Sequence, residues 1–144
     1  MSSTIDANVL IHGANRDSPF HDRARTFVES NLTRSELVYL FWPTALAYLR
    51  ISTHPSIFKR PQSAADATAN IADLLRRPNI RSVGEGDRFW PAFLEVAAEV
   101  RPIGDLVPDA HIVALMRENA VRTIWTQDRG FRRFDGIETR DPFA

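Results

Sequence analysis

The sequence contains no cysteine and almost no lysine. The missing thiols exclude disulfide bonds, thiol nucleophiles and cysteine-based zinc sites. Lys59 is the only lysine among the 18 basic residues, so arginine carries nearly all of the positive charge; its guanidinium group binds phosphates and carboxylates through paired hydrogen bonds. A net charge is also lacking, because 18 acidic residues balance the basic ones. The chain therefore lacks the overall positive charge that would indicate a nucleic-acid-binding protein.

Long hydrophobic runs are absent as well. The most apolar stretch, 37–49, is interrupted by Pro43 and is shorter than the roughly 20 residues that a membrane-spanning helix needs. The N-terminus has neither the basic segment nor the apolar core of a signal peptide, and we expect a cytoplasmic protein. With 144 residues, 44% of them hydrophobic, the chain is long enough to bury a sizeable core. We expect one domain over residues 1–144.

Short apolar runs alternate with amphipathic segments almost throughout the chain. Strands are predicted at residues 4–5, 37–41, 80–83, 123–125 and 138–139. Helices are predicted at 7–14 and from capping residues or prolines onward, at Ser18, Pro43, Ser63, Asp87 and Pro108. This alternation predicts an α/β domain of three layers, with a central, mostly parallel β-sheet flanked by helices.

Three aspartates occur at matching places in this pattern. Asp6 and Asp128 directly follow predicted strands, and Asp109 lies in the first turn of a predicted helix. In parallel sheets, ligands bind beyond the carboxyl ends of the strands, so we expect the three carboxylates to converge there. Each one also has an ordinary alternative role, as a helix cap for Asp6, a first-turn helix residue for Asp109 and a turn residue for Asp128.

Carboxylates that lie close together raise one another's pKa unless a cation neutralises them. Oxygen ligands without cysteine or a histidine pair favour Mg²⁺ or Mn²⁺ over zinc, and such an ion suits a phosphate substrate. Asn8 and Thr126 flank the carboxylates, where they either orient the site or satisfy local backbone groups. The basic cluster after Asp128 is either an RNA-backbone contact or a solvated turn; it comprises Arg129, Arg132 and Arg133.

Two other chemistries do not fit. A phosphoacceptor receiver domain also gathers aspartates at strand ends but uses a lysine on a late strand, whereas Lys59 lies in a predicted connector. A P-loop or dinucleotide-binding fold needs a glycine-rich turn after its first strand, and this strand ends in Asp-Ala-Asn instead.

Five segments carry a family resemblance. They are Ile5-Asp6-Ala7-Asn8, Leu49-Arg50-Ile51-Ser52-Thr53-His54-Pro55, Leu106-Val107-Pro108-Asp109-Ala110-His111, Thr126-Gln127-Asp128-Arg129-Gly130-Phe131 and Asp141-Pro142. In this order and spacing, nearly the whole chain resembles a PIN domain, and specifically the VapC toxins of bacterial toxin–antitoxin pairs.

The resemblance implies a Mg²⁺-dependent endoribonuclease, with Mn²⁺ as a possible substitute, that cuts cellular RNA. It also implies a VapB-like antitoxin whose tail occupies the active-site groove, and a toxin homodimer. By position, Asp6, Asp109 and Asp128 take the metal-binding roles, and Thr126 or Asn8 gives polar support. We predict that these five residues form the catalytic site.

The chain departs from the family pattern at two positions. Ala47 stands where the family usually has a glutamate, and Gly130 stands where it often has a second aspartate. Asp105 compensates for the missing acidic side chains only if its loop folds inward. These departures keep two alternatives open, a PIN-fold protein that binds RNA or antitoxin with weak or no cleavage, and a DNA-directed nuclease. We interpret Arg50 and the histidines His12 and His111 as structural.

Overall fold

A parallel five-stranded sheet forms the centre of the computed structural model, which describes residues 2–32 and 36–144. The strands are β1 (Ser2–Ile5), β2 (Leu37–Phe41), β3 (Ile80–Val83), β4 (Thr123–Trp125) and β5 (Glu138–Arg140). Their order in the sheet is β3-β2-β1-β4-β5, and every neighbouring pair is parallel. The predicted central parallel sheet is therefore confirmed.

Six α-helices connect the strands in the described part of the chain. They are α1 (Ala7–Ala14), α2 (His21–Thr26), α3 (Trp42–Ser52), α4 (Ala64–Leu75), α5 (Phe89–Val100) and α6 (Leu106–Glu118). A π-helical turn, Phe27–Asn31, extends α2, and a 3₁₀ turn, Arg129–Arg133, follows β4.

Two hydrophobic cores lie on opposite faces of the sheet. Side chains alternate across a strand, and in β2 Val38 and Leu40 join one core whereas Phe41 joins the other. The first core contains side chains of α1, α3, α4 and the π-helical turn, and the second contains those of α5 and α6. The sheet between two helical layers confirms the predicted three-layer architecture.

The second helix begins later than predicted, at His21 rather than at Ser18. The Ser18 hydroxyl oxygen accepts a 3.1 Å hydrogen bond from the backbone N–H of Phe20, and it also lies 2.7 Å from His12 Nδ1. Ser18 therefore closes a turn against α1 instead of capping a helix, and this part of the prediction was wrong.

The start of α5 lacks the cap that the sequence predicted at Asp87. The helix begins at Phe89 and receives no cap from the Asp87 side chain. The Glu118 carboxylate, at the end of α6, instead accepts hydrogen bonds from the backbone N–H groups of Gly86 and Arg88 at 3.0 and 3.1 Å. A carboxylate distant in sequence thus satisfies donors that precede this helix.

Helix α6 begins at Leu106, two residues before the predicted start at Pro108. Proline lacks only an N–H group, and the first four N–H groups of a helix have no partner within it. Pro108 is therefore tolerated in the first turn, where Asp109 also lies as predicted.

The carboxyl ends of β1, β4 and β5 meet at one edge of the sheet. The backbone N–H of Asp6 donates to the carbonyl of Trp125, and that of Thr126 donates to the carbonyl of Arg140, both at 2.9 Å. This edge therefore brings Asp6 and Thr126 next to each other. Among the described residues, no helix is long and apolar enough to cross a membrane.

Candidate active site

Asp6 leaves β1 in an extended conformation and is the N-cap of α1. One carboxylate oxygen, Oδ1, accepts a long 3.4 Å hydrogen bond from the backbone N–H of Asn8. The other, Oδ2, accepts a 2.7 Å hydrogen bond from the Thr126 hydroxyl. Asp6 therefore does act as a cap, but its shorter hydrogen bond holds it to the loop that follows β4.

Thr126 also holds Asp128. The backbone N–H of Asp128 donates a 2.9 Å hydrogen bond to Thr126 Oγ1, so one hydroxyl group bonds to both aspartates. The Asp128 carboxylate caps the 3₁₀ turn through a 2.8 Å hydrogen bond from the N–H of Gly130. Thr126 is buried whereas Asp128 is exposed, which leaves the Asp128 carboxylate accessible from solvent.

Asp109 enters the same cluster from α6. An ideal Cβ built on Gly130 lies 3.5 Å from Asp109 Oδ2 and 3.0 Å from Asp128 Oδ1, so both carboxylates face the glycine. Burial, and after it the charges of Asp128 and Asp6, raise the pKa of Asp109 to about 6, against a lowering by Arg133. The three aspartates therefore lie within one another's electric field.

Burial also raises the pKa of Asp6. The hydrogen bonds from Thr126 and Asn8 oppose this increase, because they stabilise the ionised form, and the charge of Asp128 adds to it. Carboxylates with raised pKa values at the carboxyl edge of a parallel sheet identify a candidate functional site.

The remaining predicted residues have smaller contacts with the cluster. Asn8 is exposed, and within the described ranges only its backbone N–H bonds to Asp6. Asp105 is exposed and makes no side-chain cap hydrogen bond, so it does not fold inward to compensate. Among the three exposed arginines of the basic cluster, Arg133 is the one that acts electrostatically on Asp109. Ala47 is half-buried on α3.

The donor set fits a hard divalent cation in its chemistry, because it consists of carboxylate oxygens whose repulsion a cation relieves. The side chains are not closed around one point. Within residues 2–32 and 36–144, no group of three or more histidine, aspartate or glutamate side chains is arranged to hold a metal ion.

A pocket beside the cluster contains residues that the sequence interpretation missed. It has a volume of about 230 Å³ and is lined by Asn8, Val9, His12, Gln127 and Asp128. His12 follows Asn8 by one helical turn, and this i, i+4 spacing is the sequence signal that places both on one face of α1. A larger cavity of about 440 Å³ between α1, α2, α3 and α4 contains none of the five predicted residues.

A model of the PIN domain family matches residues 4–137. The chain belongs to the PIN domain family. This PIN domain is 52% identical over 144 residues to Ribonuclease VapC48 of Mycobacterium tuberculosis, covering 100% of this chain and 99% of that protein. It is 31% identical over 138 residues to Ribonuclease VapC43 of the same organism, covering 96% and 93%. These identities place it among the VapC-type PIN domains.

Solved structures share the fold of this PIN domain. VapBC-1 from nontypeable Haemophilus influenzae matches with a TM-score of 0.70 and 14% identity over 100% of both chains. VapC20 of Mycobacterium tuberculosis, described as a sarcin-ricin loop cleaving toxin, matches with a TM-score of 0.66 and 16% identity over 94% of this chain and 98% of that one. DNA-bound VapBC from Salmonella typhimurium matches at 0.67 and 17%, over 99% and 98%.

Proposed function

We propose that this PIN domain is the endoribonuclease toxin of a VapBC-type toxin–antitoxin pair. Full-length identity of 52% to Ribonuclease VapC48 supports the activity. The observation that carries the proposal is the cluster of Asp6, Asp109 and Asp128 at the carboxyl edge of the sheet, where burial and then the neighbouring carboxylates raise the pKa of Asp109 to about 6. Such a cluster suits the hydrolysis of a phosphodiester with the help of a divalent cation.

The cation in this proposal is Mg²⁺, with Mn²⁺ as a substitute, and Asp6, Asp109 and Asp128 would hold it. When bound, it supplies activation of water and stabilisation of the charge that develops on the phosphate oxygens. Because the three side chains are not closed around one point, they would hold the ion either after a carboxylate changes its rotamer or through waters that the ion retains.

The surrounding residues orient the cluster and the substrate. Thr126 holds the Asp6 carboxylate and the backbone of Asp128 in a fixed relation. Less conformational entropy is therefore lost when the site binds its substrate. Arg133 is exposed and lies close enough to lower the pKa of Asp109. We assign Arg133 to an RNA phosphate next to the one that is cut, because arginine binds phosphate through paired hydrogen bonds.

The proposed protein partner is a VapB-like antitoxin. Solved VapBC assemblies from three bacteria have this fold. Without a cation, the three aspartates form a negative cluster with an exposed member, Asp128, and a cationic side chain of the antitoxin tail is its natural ligand. A homodimer of the toxin remains a prediction, which the mass of the protein in solution tests.

The deciding experiment compares cleavage of RNA and of single-stranded DNA with Mg²⁺ or with EDTA, using the parent protein and the Asp6→Asn variant. We expect the parent to cut only RNA, only with the metal, and the variant to be inactive. RNA binding without cleavage would favour a binding protein, which the two departures at Ala47 and Gly130 support. Cleavage of DNA in preference to RNA would favour a DNA-directed nuclease.

A further inference from the structure

The pocket of about 230 Å³ beside the aspartate cluster has a wall of mixed hydrogen-bonding character. Asn8 and Gln127 each offer an amide, which has both donors and acceptors. Asp128 belongs both to this pocket and to the aspartate cluster. A ligand in the pocket is therefore adjacent to the position of the phosphodiester in the proposed reaction.

His12 is fixed in the wall of this pocket. Its Nδ1 lies 2.7 Å from the Ser18 hydroxyl, and its ring packs edge-on against Phe20 and Phe143 with centroid distances of 5.2 and 6.0 Å. The aromatic contacts and the hydrogen bond together restrict the ring to one orientation.

We assign the proton of neutral His12 to Nε2, the tautomer in which Nδ1 accepts from the Ser18 hydroxyl. The backbone N–H of Phe20 donates to Ser18 Oγ at 3.1 Å, so the hydroxyl hydrogen is available to donate to His12 Nδ1. With Nδ1 as an acceptor, the neutral ring carries its hydrogen on Nε2. In the described part of the chain, Nε2–H has no hydrogen-bond acceptor.

Charge decides which part of an RNA suits the pocket. Burial lowers the pKa of His12, against an increase from Asp6, so the ring is neutral at pH 7 and does not attract a phosphate. Asp128 in the wall repels one. A nucleobase is uncharged and presents both hydrogen-bond donors and acceptors on its edges. The pocket volume of about 230 Å³ is smaller than that of pockets that hold drug-sized ligands, which suits a small group such as a single base.

We propose that this pocket binds the nucleobase next to the cut phosphodiester, and that His12 Nε2–H donates a hydrogen bond to a carbonyl oxygen or ring nitrogen of that base. The proposal rests on the proposed ribonuclease activity and adds a residue that determines base specificity. The amides of Asn8 and Gln127 complete the recognition of the base edge.

The test compares the parent with His12→Phe, which keeps an aromatic ring and removes the donor. Each protein cuts a pool of random-sequence RNA, and sequencing of the product ends gives the base frequencies beside each cut. We expect the parent to prefer one base there, and His12→Phe to reduce this preference about tenfold, with KM affected more than kcat. His54→Phe, the same change at an exposed histidine in a connector outside the pocket, should match the parent.

Gln127→Ala serves as a second variant, because this exposed residue lines the pocket and its truncation leaves the fold intact; it should also change the base frequencies. Equal frequencies in the parent, His12→Phe and Gln127→Ala would overturn the proposal.

If the parent cuts no RNA, the ribonuclease proposal fails, and NMR tests the pocket by itself. Addition of an RNA oligonucleotide without metal should shift the ring resonances of His12 and not those of His54; no shift at His12 contradicts the pocket.

Discussion

The Thr126 hydroxyl donates a 2.7 Å hydrogen bond to the Asp6 carboxylate across neighbouring strands of the sheet. The same oxygen accepts a 2.9 Å hydrogen bond from the backbone N–H of Asp128. Thr126 is only 3% exposed, so water does not replace these bonds. One buried hydroxyl group therefore keeps two of the three clustered aspartates in a fixed relation.

Thr126→Val keeps the shape of this side chain and removes both hydrogen bonds. We expect the variant to lose about 1–3 kcal/mol of stability, since a buried carboxylate oxygen and a backbone N–H lose their partner, and to lose at least about tenfold in RNA cleavage. Urea denaturation and cleavage assays measure the two effects. Thr126→Ser, which retains the hydroxyl, is the matched control; a valine variant that behaves like the serine variant would exclude a positioning role.

Asp109 makes the metal-free protein less stable as the pH rises. Its pKa is raised from 3.8 to about 6, mainly by burial and then by the neighbouring carboxylates. Between these values the folded protein binds more protons than the unfolded chain, so stability falls with increasing pH, and above about pH 6 the full cost is present.

Asp109→Asn should therefore be more stable than the parent at pH 7–8 in EDTA, by on the order of 1 kcal/mol after allowance for solvent screening. The difference should shrink toward pH 4, where the parent carboxyl is protonated. Thermal unfolding over this pH range provides the measurement. Asp105→Asn, an exposed change in the same region, should stay within about 0.5 kcal/mol of the parent; an equal gain in both variants would contradict the coupling.

The positions of the aspartates could be predicted because they depend on local patterns. Buried apolar runs identify strands, and parallel strands bring their carboxyl ends to one edge, so Asp6 and Asp128 had to lie near each other. Asp109 followed from its place in the first turn of a helix. Their role as ligands of a cation stays a prediction, because it depends on how the side chains respond to the ion.

Other features depended on partners that are distant in sequence. The backbone N–H groups just before α5 bond to Glu118, and Asp87 does not cap the helix; no local pattern contains the Glu118 carboxylate. The pocket at His12 forms only where α1 meets the loop at Gln127. The i, i+4 spacing of Asn8 and His12 places both on one face of α1, but it does not indicate which loop packs beside that face.

Gly130 leaves little space beside the cluster. A Cβ there would lie 3.0 Å from Asp128 Oδ1, which is closer than ordinary van der Waals contact. We expect Gly130→Ala to displace the Asp128 carboxylate and to weaken Mn²⁺ binding, measured by isothermal titration calorimetry. Gly13→Ala, whose Cβ would meet atoms no closer than 3.8 Å, is the control and should leave metal affinity unchanged. Parent affinity in both variants would contradict the displacement of a metal ligand at Asp128.

The antitoxin prediction depends on the negative charge of the cluster. Asp6→Asn and Asp128→Asn each remove one charge from the proposed receptor of a cationic side chain, so the affinity for the antitoxin should fall, by about tenfold for one lost charge-assisted hydrogen bond. Surface plasmon resonance without divalent ions gives the comparison. Asp87→Asn, an exposed change before α5, should bind like the parent. Unchanged affinity in both cluster variants would place the inhibitory contact elsewhere.

Ala47 offers a test of a missing ligand. It is half-buried in the second turn of α3, a helix that directly follows β2 and therefore starts at the carboxyl edge of the sheet. Without a glutamate here the cluster has one fewer oxygen donor, and Mg²⁺ with few protein ligands keeps more of its waters and binds less rigidly. We expect the parent to need high Mg²⁺ or to work better with Mn²⁺.

Ala47→Glu should tighten metal binding and raise cleavage at low Mg²⁺, because the added carboxylate supplies a ligand or orients the attacking water. The competing outcome is that the extra negative charge only adds repulsion and lowers stability. Metal titration, cleavage and urea denaturation of parent and variant distinguish the two. Leu46→Glu places the same charge on the neighbouring residue, which is 61% exposed, and should change none of the three measurements by much. An Ala47→Glu variant with no gain in affinity or cleavage would show that position 47 is not a vacant ligand site.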